Sequence, residues 1–389
     1  GNCSPHQPPA LHNSPLSRLD MAALAEPIDV AVVCCGAPKR GMGWYHCKQL
    51  LDKRVNGAQL TDIVEPWFLG GGKDSPPGKE FAEWAASQSG VTLHAKIEDM
   101  PMVTKPRLVI ICGRTADNPR LFKEAIDRGF TYIYLEKPGA PTVGDLQVMA
   151  GYAGSKNVKV FMGYNRNFSK YIAAANERIA TAPNAALTLR RDDCFNTPEA
   201  LDECFERNAE GMMKNMIVHE LVTLITYHGL TTASITEVIA DGELTKLETR
   251  KGFTDFSKVG FTLKTSSEKE FILVGDRCNG EYAEAIVKVD GEEVFKSIRP
   301  DDELKAKMKE LEEACPGCMP YFYLQDGEYL AVKQAVIDFI ASGSGEPPKA
   351  VAGLHTAIES VKLCDHITES LMAVLKKPAA SSSATAKAK

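Results

Sequence analysis

The sequence predicts an α/β protein with two folded domains: an N-terminal domain on a doubly wound parallel sheet and a C-terminal α+β domain with a largely antiparallel open sheet. The chain has 389 residues, which is more than one hydrophobic core usually organises. Apolar strands alternate with helices as far as residue 163, an order typical of parallel sheets. Beyond that point, turns such as Asp241-Gly242 and Asp290-Gly291 join short alternating strands, which favours antiparallel pairing.

The first half begins with a buried strand. Residues 28–35 are an apolar run bounded by a Gly/Pro loop, as expected of a parallel strand covered on both faces. A helix at 44–51 and a strand at 58–65 complete a βαβ unit. The alternation of helix and strand then continues at 79–89, 107–112, 119–128, 132–135, 142–153 and 159–162.

The second half has a different pattern. Polar segments and short alternating strands replace the regular alternation, which indicates an antiparallel or mixed sheet. We predict helices at 170–180 and 212–227, strands at 186–190 and at several places between 237 and 295, and final helices at 328–341 and 353–375.

These patterns divide the chain into four segments. They are a leader at 1–26, a first domain at 27–163, a second domain at 164–377 and a tail at 378–389. The final helices of the second domain can pack back against the first domain. We expect the leader and the tail to be disordered because their biased compositions lack periodicity. Gly1-Asn2-Cys3-Ser4 would suit a lipid anchor and membrane tethering after removal of a Met, but Pro5 stands at the usual Ser/Thr position, which favours a plain flexible leader.

The composition excludes several classes of protein. A net charge of −6 provides no broad basic surface, so we expect no nucleic-acid partner. No run approaches the roughly 18 apolar residues of a membrane-spanning helix. The eleven cysteines are scattered, and Cys34, Cys35 and Cys112 lie in apolar runs, which indicates a reducing compartment. We therefore expect a cytoplasmic protein.

A glycine-rich loop, Gly36–Gly43, lies between the first strand and the following helix. Backbone N–H groups at a helix N-terminus can hold a pyrophosphate there, as in a Rossmann domain. Glu65 ends the second strand about 20 positions after the loop, where an acid takes the ribose hydroxyls and favours NAD. Lys39 and Arg40 leave NADP as the alternative, and an exposed strand-end carboxylate is the alternative for Glu65. The predicted cofactor contacts here are Gly36, Ala37, Gly41, Met42, Gly43 and Glu65.

Further motifs follow later strands. They are the loop at 114–119, Glu136-Lys137-Pro138, the segment Gly163-Tyr164-Asn165-Arg166-Asn167-Phe168 and Ala352-Gly353-Leu354. Together with Gly43-Trp44-Tyr45-His46, they resemble the glucose-fructose oxidoreductase / inositol dehydrogenase / MocA (Gfo/Idh/MocA) family over residues 28–375. The resemblance implies an NAD(P)-dependent oxidoreductase that acts on CH–OH groups. It also implies cofactor contacts from Thr115, Asn118, Glu136, Lys137 and Asn165.

Lys137 is the first candidate catalytic residue. An ammonium group beside the nicotinamide can hydrogen-bond the substrate oxygen and stabilise the alkoxide that appears during hydride transfer. The following proline restricts the lysine backbone to extended conformations, which helps to aim the side chain. A solvated loop lysine is the alternative.

His219 is the second candidate, because its place resembles that of the family's catalytic histidine. An imidazole can accept the hydroxyl proton as hydride leaves, or return it during reduction; a core histidine on an apolar helix is the alternative. Relatives usually carry Asp four residues and Gly two residues earlier, where this chain has Asn215 and Ile217, and Asn167 replaces a common Arg. We expect a weaker base that favours carbonyl reduction, or another group that handles the proton.

The substrate is expected between the sheet edge and the second domain. Arg190 and Arg191 end a strand there and can bind a carboxylate bidentately, or can be surface charge. The resemblance implies sugars, polyols or sugar-acid-like molecules as substrates, and a homodimer or homotetramer. The predicted substrate contacts are Tyr164, Asn165, Arg190, Lys214, Asn215 and His219.

Cys315-Pro316-Gly317-Cys318 suggests redox chemistry or zinc. A single C-x-x-C without a second pair is weak support for zinc, and no thioredoxin-like βαβ unit surrounds it. We therefore predict a tight turn with two incidental thiols, and no metal site. A nucleotide-binding sensor or scaffold that lacks efficient catalysis is the rival function, motivated by Asn215, although Lys137 and His219 argue against it.

Overall fold

The computed structural model describes residues 26–375, except 181, 183, 208, 209 and 268. The predicted tail, almost all of the predicted leader and the candidate lipid site at Gly1 lie outside these residues. Two sheets organise the described part of the chain, which confirms the predicted α/β class.

The first sheet belongs to a Rossmann-type domain. Its elements are β1 (Ile28–Val33), α1 (Met42–Leu51), β2 (Ala58–Val64), α2 (Pro76–Ala86), β3 (Thr92–His94), β4 (Leu108–Ile111), α3 (Asn118–Asp127), β5 (Tyr132–Leu135), α4 (Val143–Ser155) and β6 (Lys159–Met162). All six strands are parallel, in the order β3-β2-β1-β4-β5-β6. The order reverses at β1 and β4, and a crevice for ligands forms at such a reversal.

Strand β1 shows why the sheet is buried on both sides. Val30 and Val32 pack into one hydrophobic cluster, whereas Ala31 and Val33 pack into another. Successive side chains of a strand point to opposite faces, so helices must cover both. The short strand β3 was not predicted, because only the last of its three residues is buried.

The second sheet is mixed and largely antiparallel, as predicted. Its elements are α5 (Lys170–Ala180), β7 (Ala185–Cys194), α6 (Pro198–Arg207), a π-helical turn (Met213–Ile217), α7 (Val218–His228), β8 (Ile235–Ala240), β9 (Lys246–Arg250), β10 (Phe253–Thr265), β11 (Glu270–Asp276), β12 (Cys278–Val289) and β13 (Glu292–Arg299). The strand order is β13-β12-β7-β11-β10-β8, and β9 pairs with β10. Only β7 and β11 run parallel among these pairs.

Several elements differ from the sequence prediction. Helix α6 forms within the polar segment between the strand predicted at 186–190 and the helix predicted at 212–227, where no helix was predicted. Helix α8 (Asp302–Ala314) was missed because it has no buried residue and therefore no strong apolar stripe. Strands β10 and β12 span 13 and 12 residues, so the predicted short strands are longer in the structure.

The last two helices, α9 (Pro320–Ser342) and α10 (Leu354–Leu375), pack against the first domain. The ring of Phe322 on α9 stacks on Tyr45 of α1, with centroids 4.2 Å apart. Asp326 on α9 accepts hydrogen bonds from the Tyr45 hydroxyl at 2.6 Å and from Arg54 at 2.6 Å. Helix α10 contacts both α4 and α7 and so joins the two sheets. Within the described residues, no helix combines the length and apolarity needed to cross a bilayer.

Candidate active site

The glycine-rich loop brings the N-terminus of α1 against the end of β1. A Cβ atom on Gly41 would lie 2.7 Å from the Cys35 carbonyl oxygen, and one on Gly43 would lie 2.3 Å from that of Cys34. Gly36 has a φ of +75°, which glycine adopts without steric cost. No side chain caps α1 at Gly41, so its terminal N–H groups are suited to a pyrophosphate. The loop therefore fits a dinucleotide.

Glu65 lies beside this loop. Its carboxylate accepts the Gly36 N–H at 2.8 Å and the Trp67 N–H at 3.1 Å, and only 3% of the residue is exposed. The alternative of an exposed strand-end carboxylate is therefore wrong. Oε1 also accepts the Phe68 N–H at 3.3 Å, so the carboxylate anchors the loop and the spare lone-pair capacity for a ribose hydroxyl lies on Oε2.

The loop after β4 adds a polar group at the same sheet edge. Asn118 is buried at the start of α3, and its Oδ1 has no hydrogen-bond partner among the described residues. A Cβ on Gly113 would lie 2.7 Å from this oxygen, so the glycine makes room for the amide. Buried polar atoms normally find partners, and an unpaired one at a cofactor crevice is an available ligand contact. Thr115, half-buried, precedes it in the same loop.

Lys137 lies two residues beyond the end of β5, and its side chain contacts the second domain. Its Nζ donates a hydrogen bond to the Asn215 carbonyl oxygen at 2.5 Å. Burial lowers the pKa of Lys137, and the nearby charge of Arg191 lowers it further. The peptide bond between Lys137 and Pro138 is cis. The structure thus brings Lys137 to the segment that precedes His219.

His219 lies in the first turn of α7 and is 3% exposed. Burial lowers the pKa of His219 well below its ordinary range, and the positive charges of Lys137 and Arg191 act in the same direction. The imidazole is therefore neutral near pH 7 and can accept a proton. Its Nδ1 has no hydrogen-bond partner in the part of the chain that the structure describes.

A π-helical turn, Met213–Ile217, precedes His219 and was not predicted from the sequence. Such turns are rare and occur frequently at functional sites. The turn carries Asn215, whose carbonyl receives Lys137. Ile217 stands where relatives usually have glycine, and its Cδ1 lies 2.7 Å from the position of a Cβ on Gly275. The missing side chain in β11 therefore makes room for the larger residue.

Arg190 and Arg191 point to opposite faces of the second sheet. Arg190 donates to Asp192 at 2.9 Å, and its guanidinium lies over the Tyr282 ring. Arg191 donates to the Met216 carbonyl at 3.4 Å and lies within electrostatic reach of Lys137 and His219. Adjacent residues of a strand alternate between faces, so the predicted pair cannot act together. The structure brings Arg191, and not the predicted Arg190, to the catalytic candidates.

Three other predicted substrate contacts, Tyr164, Asn165 and Lys214, form hydrogen bonds or ion pairs with the last two helices. The Tyr164 ring meets His219 edge-on at 6.1 Å, while its hydroxyl pairs with Ser360 on α10. Asn165 is fully buried and donates to Gln325 and Glu328 on α9, both at 3.0 Å. Lys214 forms an ion pair with Asp365 at 2.7 Å. In this arrangement the three residues tie the site to the last two helices.

A buried network lies beneath Lys137 and was missed by the sequence analysis. His46 Nε2 lies 2.9 Å from Glu136 Oε1, and Lys333 Nζ lies 2.9 Å from His46 Nδ1. Burial lowers the pKa of His46 to about 4 and that of Lys333 to about 7. Neutral His46 therefore accepts a hydrogen bond from the Lys333 amino group at Nδ1 and donates one to the Glu136 carboxylate from Nε2. The structure places Glu136, a predicted cofactor contact, in this network. The only hint of the network in the sequence was His46, which belongs to the motif Gly43-Trp44-Tyr45-His46.

Comparison with known families supports the fold. Residues 74–164 match the Gfo/Idh/MocA family model, described as an oxidoreductase family with an NAD-binding Rossmann fold. The matched segment contains Lys137, whereas the glycine-rich loop precedes it and His219 follows it. A search of curated proteins found no match.

Solved structures share the architecture at low sequence identity. Scyllo-inositol dehydrogenase from Lactobacillus casei, with bound NAD(H) and scyllo-inositol, has a TM-score of 0.67 and 14% identity over 90% of this chain and 98% of its own. A myo-inositol dehydrogenase from Corynebacterium glutamicum has a TM-score of 0.65 and 19% identity over 90% and 97%. An oxidoreductase from Agrobacterium radiobacter, in complex with NAD+, L-tartaric acid and magnesium, has a TM-score of 0.64 and 12% identity, over 90% of this chain and 97% of its own. These similarities establish the fold of the whole described chain.

Proposed function

Because residues 74–164 match the NAD-binding Rossmann model of the Gfo/Idh/MocA oxidoreductase family, we propose that this chain belongs to that family and transfers hydride between nicotinamide and a substrate carbon. The reacting carbon is the carbinol or carbonyl carbon of a sugar, polyol or sugar-acid-like molecule. The observation that carries the proposal is the meeting of Lys137, just beyond the end of β5, with the turn that leads into His219. Lys137 and His219 come from different parts of the chain, and the hydrogen bond from Lys137 to Asn215 supports their action on one substrate.

The residues at the sheet edge suit NAD. Gly36, Gly41 and Gly43 would allow the pyrophosphate to approach the N-terminus of α1. Glu65 would take the ribose hydroxyls and disfavour a 2′-phosphate, and the free Asn118 oxygen would meet a donor of the cofactor. When bound, the nicotinamide supplies the group that accepts or donates hydride.

Lys137 acts on the substrate oxygen. Its ammonium group can exchange the Asn215 carbonyl for that oxygen, which carries more negative charge as a carbinol is oxidised. The donor is already oriented and half-buried, so its interaction with the developing charge is stronger than in water. Lys137 therefore orients the oxygen and stabilises its charge.

His219 handles the proton. Its neutral imidazole can accept the hydroxyl proton during oxidation. Lys137 and Arg191 disfavour the imidazolium that results, so the proton moves on readily to solvent or to the next acceptor. These charges favour a His219 that passes the proton on over one that retains it.

Arg191 gives the substrate preference. Its charge acts on Lys137, and its Nε makes an ion pair with Asp193 at 3.6 Å but has no hydrogen-bond partner among the described residues. Guanidinium groups recognise carboxylates and adjacent hydroxyls through several N–H donors. We therefore include sugar acids beside neutral sugars and polyols in the proposed substrate class.

The test combines cofactor titration with a substrate screen. NADH and NADPH binding is measured by fluorescence, and sugar acids, polyols and ketoses are then screened by the absorbance of the reduced cofactor. Lys137→Ala should abolish turnover with nearly intact NADH affinity. Lys159→Ala, which removes an exposed lysine from the neighbouring strand β6, should leave both unchanged. Undiminished turnover by Lys137→Ala would overturn the mechanism.

A sensor or scaffold function is the second candidate. It is favoured by Asn215, because an amide at this position provides no carboxylate to stabilise a protonated His219. Tight NADH binding without turnover of any substrate in the screen would support it. Turnover that depends on Lys137 would exclude it.

A further inference from the structure

The C-x-x-C segment places two thiols almost in contact. Cys315 Sγ and Cys318 Sγ lie 3.3 Å apart in the turn between α8 and α9. The Tyr323 hydroxyl donates to the Cys315 carbonyl at 2.6 Å and accepts the Cys318 N–H at 2.9 Å. Gly317, with a φ of +79°, provides the left-handed residue of the turn. The backbone therefore holds both sulfur atoms side by side.

The same turn is bonded to the glycine-rich loop. Met319, the residue after Cys318, donates its N–H to the Lys39 carbonyl at 3.0 Å. Lys39 has a φ of +65°, which is sterically costly for a residue with a side chain and persists only when its surroundings hold it. Met319 thus helps to fix the shape of the loop that would receive the pyrophosphate.

We propose that Cys315 and Cys318 form a reversible disulfide that loosens the glycine-rich loop and weakens NAD binding. The effect on NAD rests on the function proposed above, whereas disulfide formation and the change in the loop do not. The pair is thus an oxidation site coupled to the cofactor crevice.

The oxidant is a low-molecular-weight disulfide of the glutathione class. Cys315 is half-buried and Cys318 is buried, so the incoming disulfide reaches Cys315 first. Its thiolate attacks one sulfur, forms a mixed disulfide and releases one small thiolate. The Cys318 sulfur then loses its proton and attacks Cys315 Sγ, which releases the second. The two cysteine protons end on the two released thiols, and two electrons pass to the small disulfide.

The local charges suit this order of attack. Burial, followed by the contact with Cys315, raises the pKa of the Cys318 thiol to about 11, and the charge of Lys39 opposes this rise. Cys318 therefore rests as a thiol and resolves the mixed disulfide in the second step. The hydrogen bond from Met319 to Lys39 shows how close the loop lies to the pair.

Closing the disulfide changes the geometry of the turn. An S–S bond measures about 2.0 Å, so the sulfur atoms must approach each other by more than about 1 Å. Side-chain rotation takes up part of this approach, and the proposal requires that the rest moves the Cys318 backbone and so lengthens the hydrogen bond from the adjacent Met319 to Lys39. Without that bond, Lys39 can leave its costly conformation and the loop loses its fixed shape.

The first experiment tests the disulfide itself. The purified full chain is equilibrated with defined ratios of reduced to oxidised glutathione, alkylated, and mapped by non-reducing peptide mass spectrometry. We expect a Cys315–Cys318 link that disappears with dithiothreitol. The link should persist in Cys278→Ser, which removes an exposed thiol elsewhere. Alkylation of both Cys315 and Cys318 at every ratio, including excess oxidised glutathione, would overturn the proposal.

The second experiment tests the coupling. Hydrogen exchange of the 36–43 segment should be faster in the oxidised protein, and the dissociation constant for NADH should rise about fivefold, the size expected from loss of one neutral hydrogen bond. Cys315→Ser/Cys318→Ser should not respond to oxidant. Unchanged exchange and affinity would overturn the coupling. Faster exchange with no NADH binding in either state would support the coupling and overturn the proposed function.

Discussion

Lys333 Nζ lies 2.9 Å from His46 Nδ1, and through that imidazole it is linked to Glu136, the residue before Lys137. All three groups are buried, and they come from α9, α1 and the end of β5. A buried amino group and a buried carboxylate are each stable at low polarity only when they have hydrogen-bond partners. The network therefore fixes the backbone that carries Lys137.

Lys333→Met should flatten the pH dependence of stability above neutral pH. The unfolded chain keeps this lysine protonated up to its ordinary pKa of 10.5, whereas burial in the fold lowers the pKa to about 7. Between these values the unfolded chain binds more protons, so Lys333 makes stability rise with pH. Urea unfolding at pH 7 and pH 9 should show a smaller rise in Lys333→Met than in the wild type. Lys362→Met, at a more exposed lysine, is the control; an equal rise in Lys333→Met and the wild type would refute the assignment.

Gly43→Ala should weaken NADH binding by about tenfold or more and lower stability by about 1–3 kcal/mol, as overpacking does. Its Cβ would meet the backbone of Cys34 and Cys35, which cannot rotate away. Fluorescence titration and urea unfolding provide the measurements. Gly151→Ala is the control, because no atom lies within 4 Å of its Cβ in α4 and alanine favours helices. Wild-type affinity in Gly43→Ala would argue against the loop as the pyrophosphate site.

Arg191→Gln should raise the KM of a carboxylate-bearing substrate by about tenfold or more, the size expected for a hydrogen bond to a charged group. The KM of a neutral polyol should change less. Arg190→Gln is a matched control, because this side chain lies on the opposite face of β7 with Asp192 and Tyr282. Steady-state kinetics of both variants with both substrates measures these changes in KM. Equal effects of the two substitutions would contradict the assignment of the faces.

Asn215→Asp should shift the acidic limb of the pH–rate profile to higher pH. The new carboxylate would lie four residues before His219, where side chains of a helix approach each other, and would raise the pKa of that imidazole. The profile of kcat against pH provides the measurement. Asn184→Asp, in an exposed turn, should leave the profile unchanged. A coincident profile for Asn215→Asp would show that the proton passes through another group.

Local pattern was sufficient for many elements. The strands at 132–135 and 159–162 and the helix at 170–180 have the bounds that the sequence predicts. The helix buries residues at helical spacing, and the two strands are short apolar runs between polar segments, so the sequence contains the signal. The π-helical turn before His219 contains no such signal, because it depends on packing of Met212 and Ile217 against Gly275. Helix α8 was missed for the opposite reason: it buries no residue.

The sequence by itself determined the parallel and largely antiparallel sheets, the glycine-rich loop and the candidacy of Lys137 and His219. Tertiary structure alone decided their surroundings. It selected Arg191 over Arg190, linked Lys333 and His46 to Glu136, and bonded Met319, the residue after Cys318, to Lys39. The reason is physical: periodicity encodes which face of an element is buried, whereas contacts between residues nearly 300 positions apart arise only when the folded chain brings the elements together.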